Sequence, residues 1–274
     1  MIPTILVLLV IGLIIGGIFL LPIAKQLRRD RWKQRPFPPS WTAILQQHLP
    51  FYDRLTPNEQ RRLQGHIQIF LAEKQFIGCQ GLQITEEIRL IIAGVACLLL
   101  LNEQGDYFPR LRSILVYPDA YLANQVNITD HYIVEEQQVA RLGESWSRDL
   151  LILSWRQVQQ DIANWQQGQN VILHEFAHQL DQADGNADGV PTLSDRVDYQ
   201  QWASIMTSEY QRLCQEVKRG LRTVIDRYGT TNPAEFFAVV TETFFCQPRL
   251  LQRQHPQLYQ LFQRYYQLSP EQWW

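Results

Sequence analysis

Apolar and polar positions follow a helical period over much of the chain. TPNEQRRLQGHIQIFLAEK opens with Thr56 as N-cap, Pro57 at the first helical position and Glu59 completing a capping box. Its apolar residues then recur at helical spacing. ITEEIRLIIAGVACLLLLN predicts a second helix, apolar almost all round. Because charged residues interrupt its start and its apolar stretch is short, we expect a buried core helix rather than a membrane span.

The middle of the chain changes to strand-like patterns. RSILVYPDAY, HYIVEEQQVARLG and LLILSW are each predicted to hold a strand. From RQVQQDIANW onward the pattern is nearly all helical. Strands in the middle followed by helices predict an α+β domain, in which a mostly helical body lies beside a small β-sheet.

The first part of the chain is apolar without interruption. No charged side chain precedes Lys25, and Ile5–Ala24 spans 20 residues. As a helix this segment would be about 30 Å long, the thickness of a bilayer core. A cleaved signal peptide would have a basic start and a small-residue cleavage site. The pattern therefore predicts a single transmembrane anchor over residues 1–24 that contacts the lipid bilayer through residues 5–24.

The residues around this segment predict its orientation. Lysines and arginines follow the apolar stretch and none precedes it, so the positive-inside rule places the remainder of the chain in the cytoplasm, at the inner membrane. Gly12 and Gly16 form a GxxxG pair through which two anchors could dimerise. Residues 25–45, basic and then proline-rich, predict a linker. Residues 46–274 would form the remaining domain.

Composition narrows the range of partners. The 25 Lys and Arg residues are balanced by 27 Asp and Glu residues, giving a formal net charge of -2. Because nucleic acid binding needs a concentrated basic face, we expect no nucleic-acid partner. The four cysteines form no CxxC pair, which favours reduced thiols.

Candidate chemistry lies in VILHEFAHQLDQADG, residues 171–185. His174 and His178 are one helical turn apart, so both imidazoles project from the same side and could bind one metal ion. Glu175 points away from that side, where it could accept a proton from a metal-bound water. The alternative is an amphipathic helix with two histidines that bind no metal, but a buried pair of this kind is costly without a partner. The motif predicts a catalytic Zn²⁺ site.

A catalytic zinc site needs a third protein ligand, and the sequence leaves that ligand open. The other histidines lie in no comparable setting, so a carboxylate in NPAEFFAVVTETFF is the candidate. Glu235 lies in the first turn of a predicted helix, where acidic residues also interact favourably with the helix dipole. Glu242, two turns further on, could orient a histidine ligand or replace Glu235 as the third ligand.

A calcium loop is the competing interpretation of the residues that follow the motif. The spacing of an EF-hand loop is matched by Asp184, Asn186, Asp188, Gly189 and Asp195. Pro191 removes a backbone N–H inside this loop, and Asp195 stands where a bidentate Glu is preferred. A polar turn after the metal helix is the simpler interpretation.

Beyond the motif, the chain resembles the Mlc titration factor A family of gluzincin-type zinc peptidases, which is distantly similar to the protease domain of lethal factor. The resemblance covers about residues 50–270 and is carried by GLQITEEIRLIIAGVACLLLL, ILVYPDAY, LGESW…LILSW, NVILHEFAHQLDQADG…GVP and NPAEFFAVVTETFF. It implies a zincin-like fold, with His174, His178 and Glu235 as zinc ligands and Glu175 as general base. It also implies that Tyr228 stabilises the oxyanion.

Two functions follow from the resemblance. One is a membrane-anchored zinc metallopeptidase that hydrolyses peptide substrates, aminopeptidase-like and with a regulatory role. The other is a non-catalytic, zinc-containing module that sequesters a transcriptional repressor, Mlc-like, at the membrane. A complete catalytic set favours the enzyme, because a structural zinc site usually closes its fourth position with a protein ligand.

Overall fold

Helices make up most of the residues that the structure describes. A computed structural model describes residues 20–102, 106–119, 149–193 and 196–274. The helices in these ranges are α1 (20–33), α2 (Pro39–His48), α3 (Pro57–Glu73), α4 (Glu86–Leu98), α5 (Trp155–Ala163), α6 (Val171–Asp181), α7 (Arg196–Lys218), α8 (Pro233–Cys246), α9 (Pro248–Gln254) and α10 (Pro256–Tyr266). The strands are β1 (Gln75–Gly78), β2 (Ser113–Tyr117) and β3 (Leu150–Ser154).

The three strands form one parallel sheet in the order β1-β2-β3. Side chains of β2 and β3 alternate between half-buried and buried, as expected for a sheet that packs one face on the core. The strands predicted in RSILVYPDAY and LLILSW are confirmed. The strand predicted in HYIVEEQQVARLG lies outside the described residues. β1 was not predicted, and it pairs with β2 across a long stretch of sequence.

The two predicted N-terminal helices form as expected. The Thr56 side chain accepts from the Glu59 backbone N–H, and the Glu59 side chain accepts from the Thr56 N–H, so the capping box of α3 is complete. α4 is buried along almost its whole length and packs against α2 and α3. It also contacts α6, the helix that carries the two histidines. The buried α4 therefore packs against the helix that carries the candidate site.

The prediction of an N-terminal transmembrane helix, and of the membrane localisation derived from it, is wrong. Among the described residues, no helix combines the length and apolar character that crossing a bilayer requires. The described end of the predicted span, residues 20–24, belongs to α1, which continues through the basic residues to position 33. Residues 1–19, including Gly12 and Gly16, lie outside the described residues.

Basic residues of α1 form ion pairs with the rest of the domain. Arg29 is buried and forms a two-pronged pair with Glu73 of α3, with its Nε 2.7 Å from Oε1 and its Nη2 2.8 Å from Oε2. It also pairs with Asp106 and lies over the ring of Tyr107. The segment predicted as a linker, residues 25–45, is therefore helical over most of its length and packs against the body.

Candidate metal centre

The helix α6 begins at a side-chain cap that fixes where its histidines point. Asn170 is the N-cap, and its Oδ1 accepts from the backbone N–H of Leu173 at 3.0 Å. His174 and His178 follow one turn apart on one side of the helix, and His174 is only 2% exposed. The opposite side carries apolar residues that enter the core. This arrangement holds both imidazoles at the boundary between core and solvent.

The helix α8 presents the carboxylate of its first turn to α6. Asn232 caps α8 by accepting from the backbone N–H of Glu235 at 2.9 Å, and Pro233 occupies the first helical position. The cap satisfies the backbone of Glu235 and leaves its side chain available. Because α6 and α8 pack against each other, this carboxylate reaches the two histidines.

His174, His178 and Glu235 bring three ligand atoms together. Nε2 of His174 lies 3.2 Å from Nε2 of His178, and Oε2 of Glu235 lies 3.0 Å and 3.3 Å from these nitrogens. Four ligands arranged tetrahedrally about 2.0–2.1 Å from a zinc ion lie about 3.3–3.4 Å from one another. The triangle in the structure has nearly these dimensions.

The carboxylate oxygen in this triangle is a buried acceptor without a well-aligned donor. Oε2 of Glu235 is close enough to both histidines for ion pairs, yet it accepts no hydrogen bond of good geometry. A buried acceptor in this condition costs free energy unless something satisfies it. The Nε2 atoms of the two imidazoles face each other at 3.2 Å, as two ligands of one ion do. Two nitrogens and one carboxylate oxygen form a donor set that suits zinc, and the residues present therefore fit a metal ion.

Glu242 holds the other side of His174. Its Oε1 accepts from Nδ1 of His174 at 2.8 Å, and its Oε2 accepts from the backbone N–H of Asn170 at 2.5 Å. The proton on Nδ1 leaves the lone pair of Nε2 directed at the three-atom group. Glu242 is thus turned away from that group, and it is not one of the three residues that could hold the ion.

The charges of this cluster shift the pKa values of its members. Burial lowers the pKa of the His174 imidazole, but the carboxylates of Glu235 and Glu242 outweigh burial and raise that pKa above its ordinary value. Burial raises the pKa of the Glu235 carboxyl, but the adjacent imidazoles bring it below its ordinary value. Both shifts have one cause, the attraction between the imidazoles and the carboxylates, and a bound cation would compete with protons for these side chains.

Glu175 and Tyr228, the predicted catalytic residues, lie beside the three-atom group. Glu175 is half-buried, and its charge is felt by both His174 and Tyr228. The Tyr228 ring lies 6.0 Å from the His174 ring, centroid to centroid. Burial, followed by the charges of Glu235 and Glu175, raises the pKa of the Tyr228 phenol to about 12, so the hydroxyl keeps its proton near neutral pH.

A loop after α6 fixes the distance between the two helices of the site. Oδ1 of the fully buried Asp181 accepts from the backbone N–H of Val190 at 2.8 Å. The carbonyl of Gly189 accepts from the Trp202 indole at 3.0 Å. Gly189 has φ +78°, and a Cβ built on it would lie 2.4 Å from the carbonyl oxygen of Pro233, at the start of α8. Only glycine allows this approach.

Sequence reasoning missed two buried carboxylates that support α6. Asp161 of α5 accepts from the backbone N–H of Val171 at 2.8 Å, at the start of α6, and Asp181 holds the following loop. The available signal was the single acidic residue of α5, four residues after Gln157, whose amide donates to Asp161. For Asp181 the signal was its position three residues after His178 on the same helix.

The calcium interpretation finds no support. Asp184 and Asp188 accept from the backbone N–H groups of Asn186 and Val190, which is what polar turn residues do. Asp195 lies outside the described residues. Among the residues that the structure describes, His174, His178 and Glu235 are the one group of three side chains that could hold a metal ion.

Two histidines one turn apart on a helix, a glutamate beside the first of them and a carboxylate from a second helix are typical of metallopeptidases. Comparison with known proteins agrees with this class. The family described as glucose-regulated metallo-peptidase M90 matches residues 24–267. The chain therefore belongs to this metallopeptidase family.

Individual relatives support the same assignment. Mlc titration factor A of Klebsiella pneumoniae is 31% identical over 227 residues, which cover 82% of this chain and 84% of that protein. Its counterpart in Salmonella arizonae is 31% identical over 227 residues, 82% of this chain and 89% of that protein. An uncharacterized protein of Synechocystis is 51% identical over 271 residues, 98% of either chain. The resemblance to the Mlc titration factor A family is confirmed.

Proposed function

We propose that the protein is a zinc-dependent peptidase in which His174, His178 and Glu235 hold the ion. The observation that carries the proposal is the triangle of ligand atoms with sides of 3.0–3.3 Å, one of whose corners is a buried carboxylate oxygen without an aligned donor. When bound, zinc would supply Lewis acidity, which polarises a substrate carbonyl and acidifies a water molecule.

The residues of the chain have distinct parts in this proposal. Glu175 accepts the proton of the attacking water and passes it to the leaving amine. The Tyr228 hydroxyl donates a hydrogen bond to the oxygen on which negative charge develops. Glu242 keeps the Nδ1 proton of His174 in place and thereby fixes the orientation of that imidazole. All of these residues are half-buried or buried beside the same group.

The substrate that we propose is a short peptide cleaved at its amino-terminal residue. The resemblance to the Mlc titration factor A family suggests this aminopeptidase-like activity and a regulatory role for it. A panel of amino-acid nitroanilides and short peptides would test this part of the proposal, since an endopeptidase would cleave the peptides internally and leave the nitroanilides intact.

The test of catalysis compares wild type with Glu175→Gln. Glutamine cannot accept the proton, so we expect kcat to fall by a factor of about 10²–10⁴ while zinc is retained. Glu87→Gln, a change of a half-exposed side chain at the start of α4, is the matched control and should leave activity unchanged. Full activity of Glu175→Gln, or no cleavage by zinc-loaded wild type, would contradict the proposal.

Binding of a transcriptional repressor is the second candidate function. It is favoured by the name of the relatives, Mlc titration factor A, at 31% identity. If this function were the principal one, Glu175→Gln would bind the repressor as wild type does. Pull-down of a purified Mlc-type repressor by wild type and Glu175→Gln, measured beside peptidase activity, separates binding from catalysis.

A further inference from the structure

A cavity that shares no lining residue with the metal centre lies between α1, α3 and the turn that follows α4. Its volume is about 720 Å³, which is within the range of small-molecule sites. The cavity is lined by Lys33, Asn58, Arg61, Arg62, Gly65, His66, Leu101 and Asn102. Three of these side chains are cationic, and none of the described lining residues is acidic.

The cations converge on the cavity from two helices. Lys33 ends α1, and its Cγ would lie 3.3 Å from a Cβ added at Gly65, so its stem lies against α3. Arg61 and Arg62 belong to α3 itself. Arg61 donates to the amide oxygen of Asn58. Within the described part of the chain, none of the three cations forms an ion pair.

The pKa of His66, one of the lining residues, responds to the charges around this cavity. The imidazole is buried, and its Nδ1 lies 2.6 Å from the Tyr107 hydroxyl. Burial, followed by the charges of Lys33 and Arg62, lowers its pKa to about 4, although a hydrogen bond with the Leu101 carbonyl acts in the opposite direction. The two cations therefore act on one point although they come from different helices.

We propose that this cavity binds a small phosphate-bearing molecule. Three cations that have no acidic partner among the described residues attract a multiply charged anion, and arginine forms paired hydrogen bonds with phosphate oxygens. The amides of Asn58 and Asn102 add polar contacts for the part of the ligand beyond the phosphate. Since His66 is the only ring among the described lining residues, these residues offer no aromatic platform for a nucleobase. A phosphate monoester or diphosphate fits these features.

The test is calorimetric titration of the full chain with inorganic phosphate and with pyrophosphate, at constant ionic strength. We expect saturable binding at one site, with pyrophosphate binding more tightly because it carries more charge. Lys33→Gln and Arg62→Gln should each weaken binding at least tenfold. Arg253→Gln, an exposed arginine on α9, removes the same charge elsewhere and should change binding less than twofold.

A second readout locates the ligand. Saturating pyrophosphate should raise the pKa of His66, followed by NMR of its ring protons, because a bound anion offsets the charges of Lys33 and Arg62. The absence of saturable binding, an equal loss in Arg253→Gln, or an unchanged His66 titration would overturn the proposal. Both test residues are exposed, so their variants should melt as wild type does.

Discussion

At the scale of single residues, Glu242 holds two groups of the metal helix at once, Nδ1 of His174 and the backbone N–H of Asn170. Glu242→Gln would place an amide NH₂ against one of these donors. We expect zinc affinity to fall about 10–100-fold, measured by competition with a chromophoric chelator. Glu175→Gln should keep wild-type affinity. Equal affinity of Glu242→Gln and wild type would show that Glu242 does not position His174.

His66 makes stability depend on pH. Its pKa is lowered to about 4 in the folded protein, chiefly by burial, against about 6.5 in an unfolded chain. The unfolded state therefore takes up the proton first, and the contribution of neutral His66 is complete above pH 6.5 and lost as pH falls toward 4. The difference between the folded-state and unfolded-state pKa of His66 corresponds to about 3 kcal/mol of unfolding free energy. Urea unfolding of wild type and His66→Gln between pH 7 and 4 measures it, and parallel pH profiles would contradict the assignment.

The sequence could predict some of these residues and not others, for a physical reason. The spacing of His174, Glu175 and His178 is local, so one helix specifies it. Glu235 could be read equally as a helix cap, and its position three residues after Asn232 does serve the cap. Only the packing of α6 against α8 shows that its carboxylate also reaches the histidines. Contacts between distant segments carry no local pattern.

At the scale of elements, Gly189 sets the approach of the loop after α6 to the start of α8. Gly189→Ala would put a methyl group against the Pro233 carbonyl at a positive φ. We expect the loop or the first turn of α8 to move, with a loss of about 2–4 kcal/mol in unfolding free energy and weaker zinc binding through Glu235. Denaturant unfolding and chelator competition measure the two effects.

Gly220→Ala is the matched control for this change. Gly220 has φ +69°, but a Cβ there would meet no atom within 4 Å. It should therefore show only the backbone strain, about 1–2 kcal/mol, and unchanged zinc affinity. If Gly189→Ala and Gly220→Ala behaved alike, the contact with Pro233 would have no part in placing Glu235.

Elements with strong local signals were predicted well, and elements fixed by distant pairing were not. The capping box of α3 and the apolar run of α4 are local, and both helices form as expected. β1 has only four residues, exposed or half-buried, and exists because Phe76 pairs beside Ile114. A strand of this kind shows no alternation strong enough to recognise from sequence.

At the scale of the whole molecule, hydropathy does not show what charged residues contact, and this limited the prediction for the basic residues that follow the N-terminal apolar run. The basic residues after the apolar run were interpreted as a membrane flank. In the structure Arg29 turns inward to Glu73 and Asp106, and α1 packs on the domain. A buried guanidinium paired with two carboxylates, as in Arg29, is typical of a folded domain. Its partners lie 44 or more residues away in sequence.

Metal binding should stabilise the entire domain, because the proposed ion between His174, His178 and Glu235 would join α6 to α8 and would bind the folded chain in preference to the unfolded one. With free zinc at 100 times its Kd, the unfolding free energy should rise by about 2.7 kcal/mol and the Tm by about 5–10 °C. Calorimetry with zinc and after chelation measures this. Glu175→Gln should respond as wild type, whereas Glu235→Gln should lose most of the response. A zinc response that persisted in Glu235→Gln would place the ion elsewhere, and no response in wild type would mean that the native fold does not bind zinc.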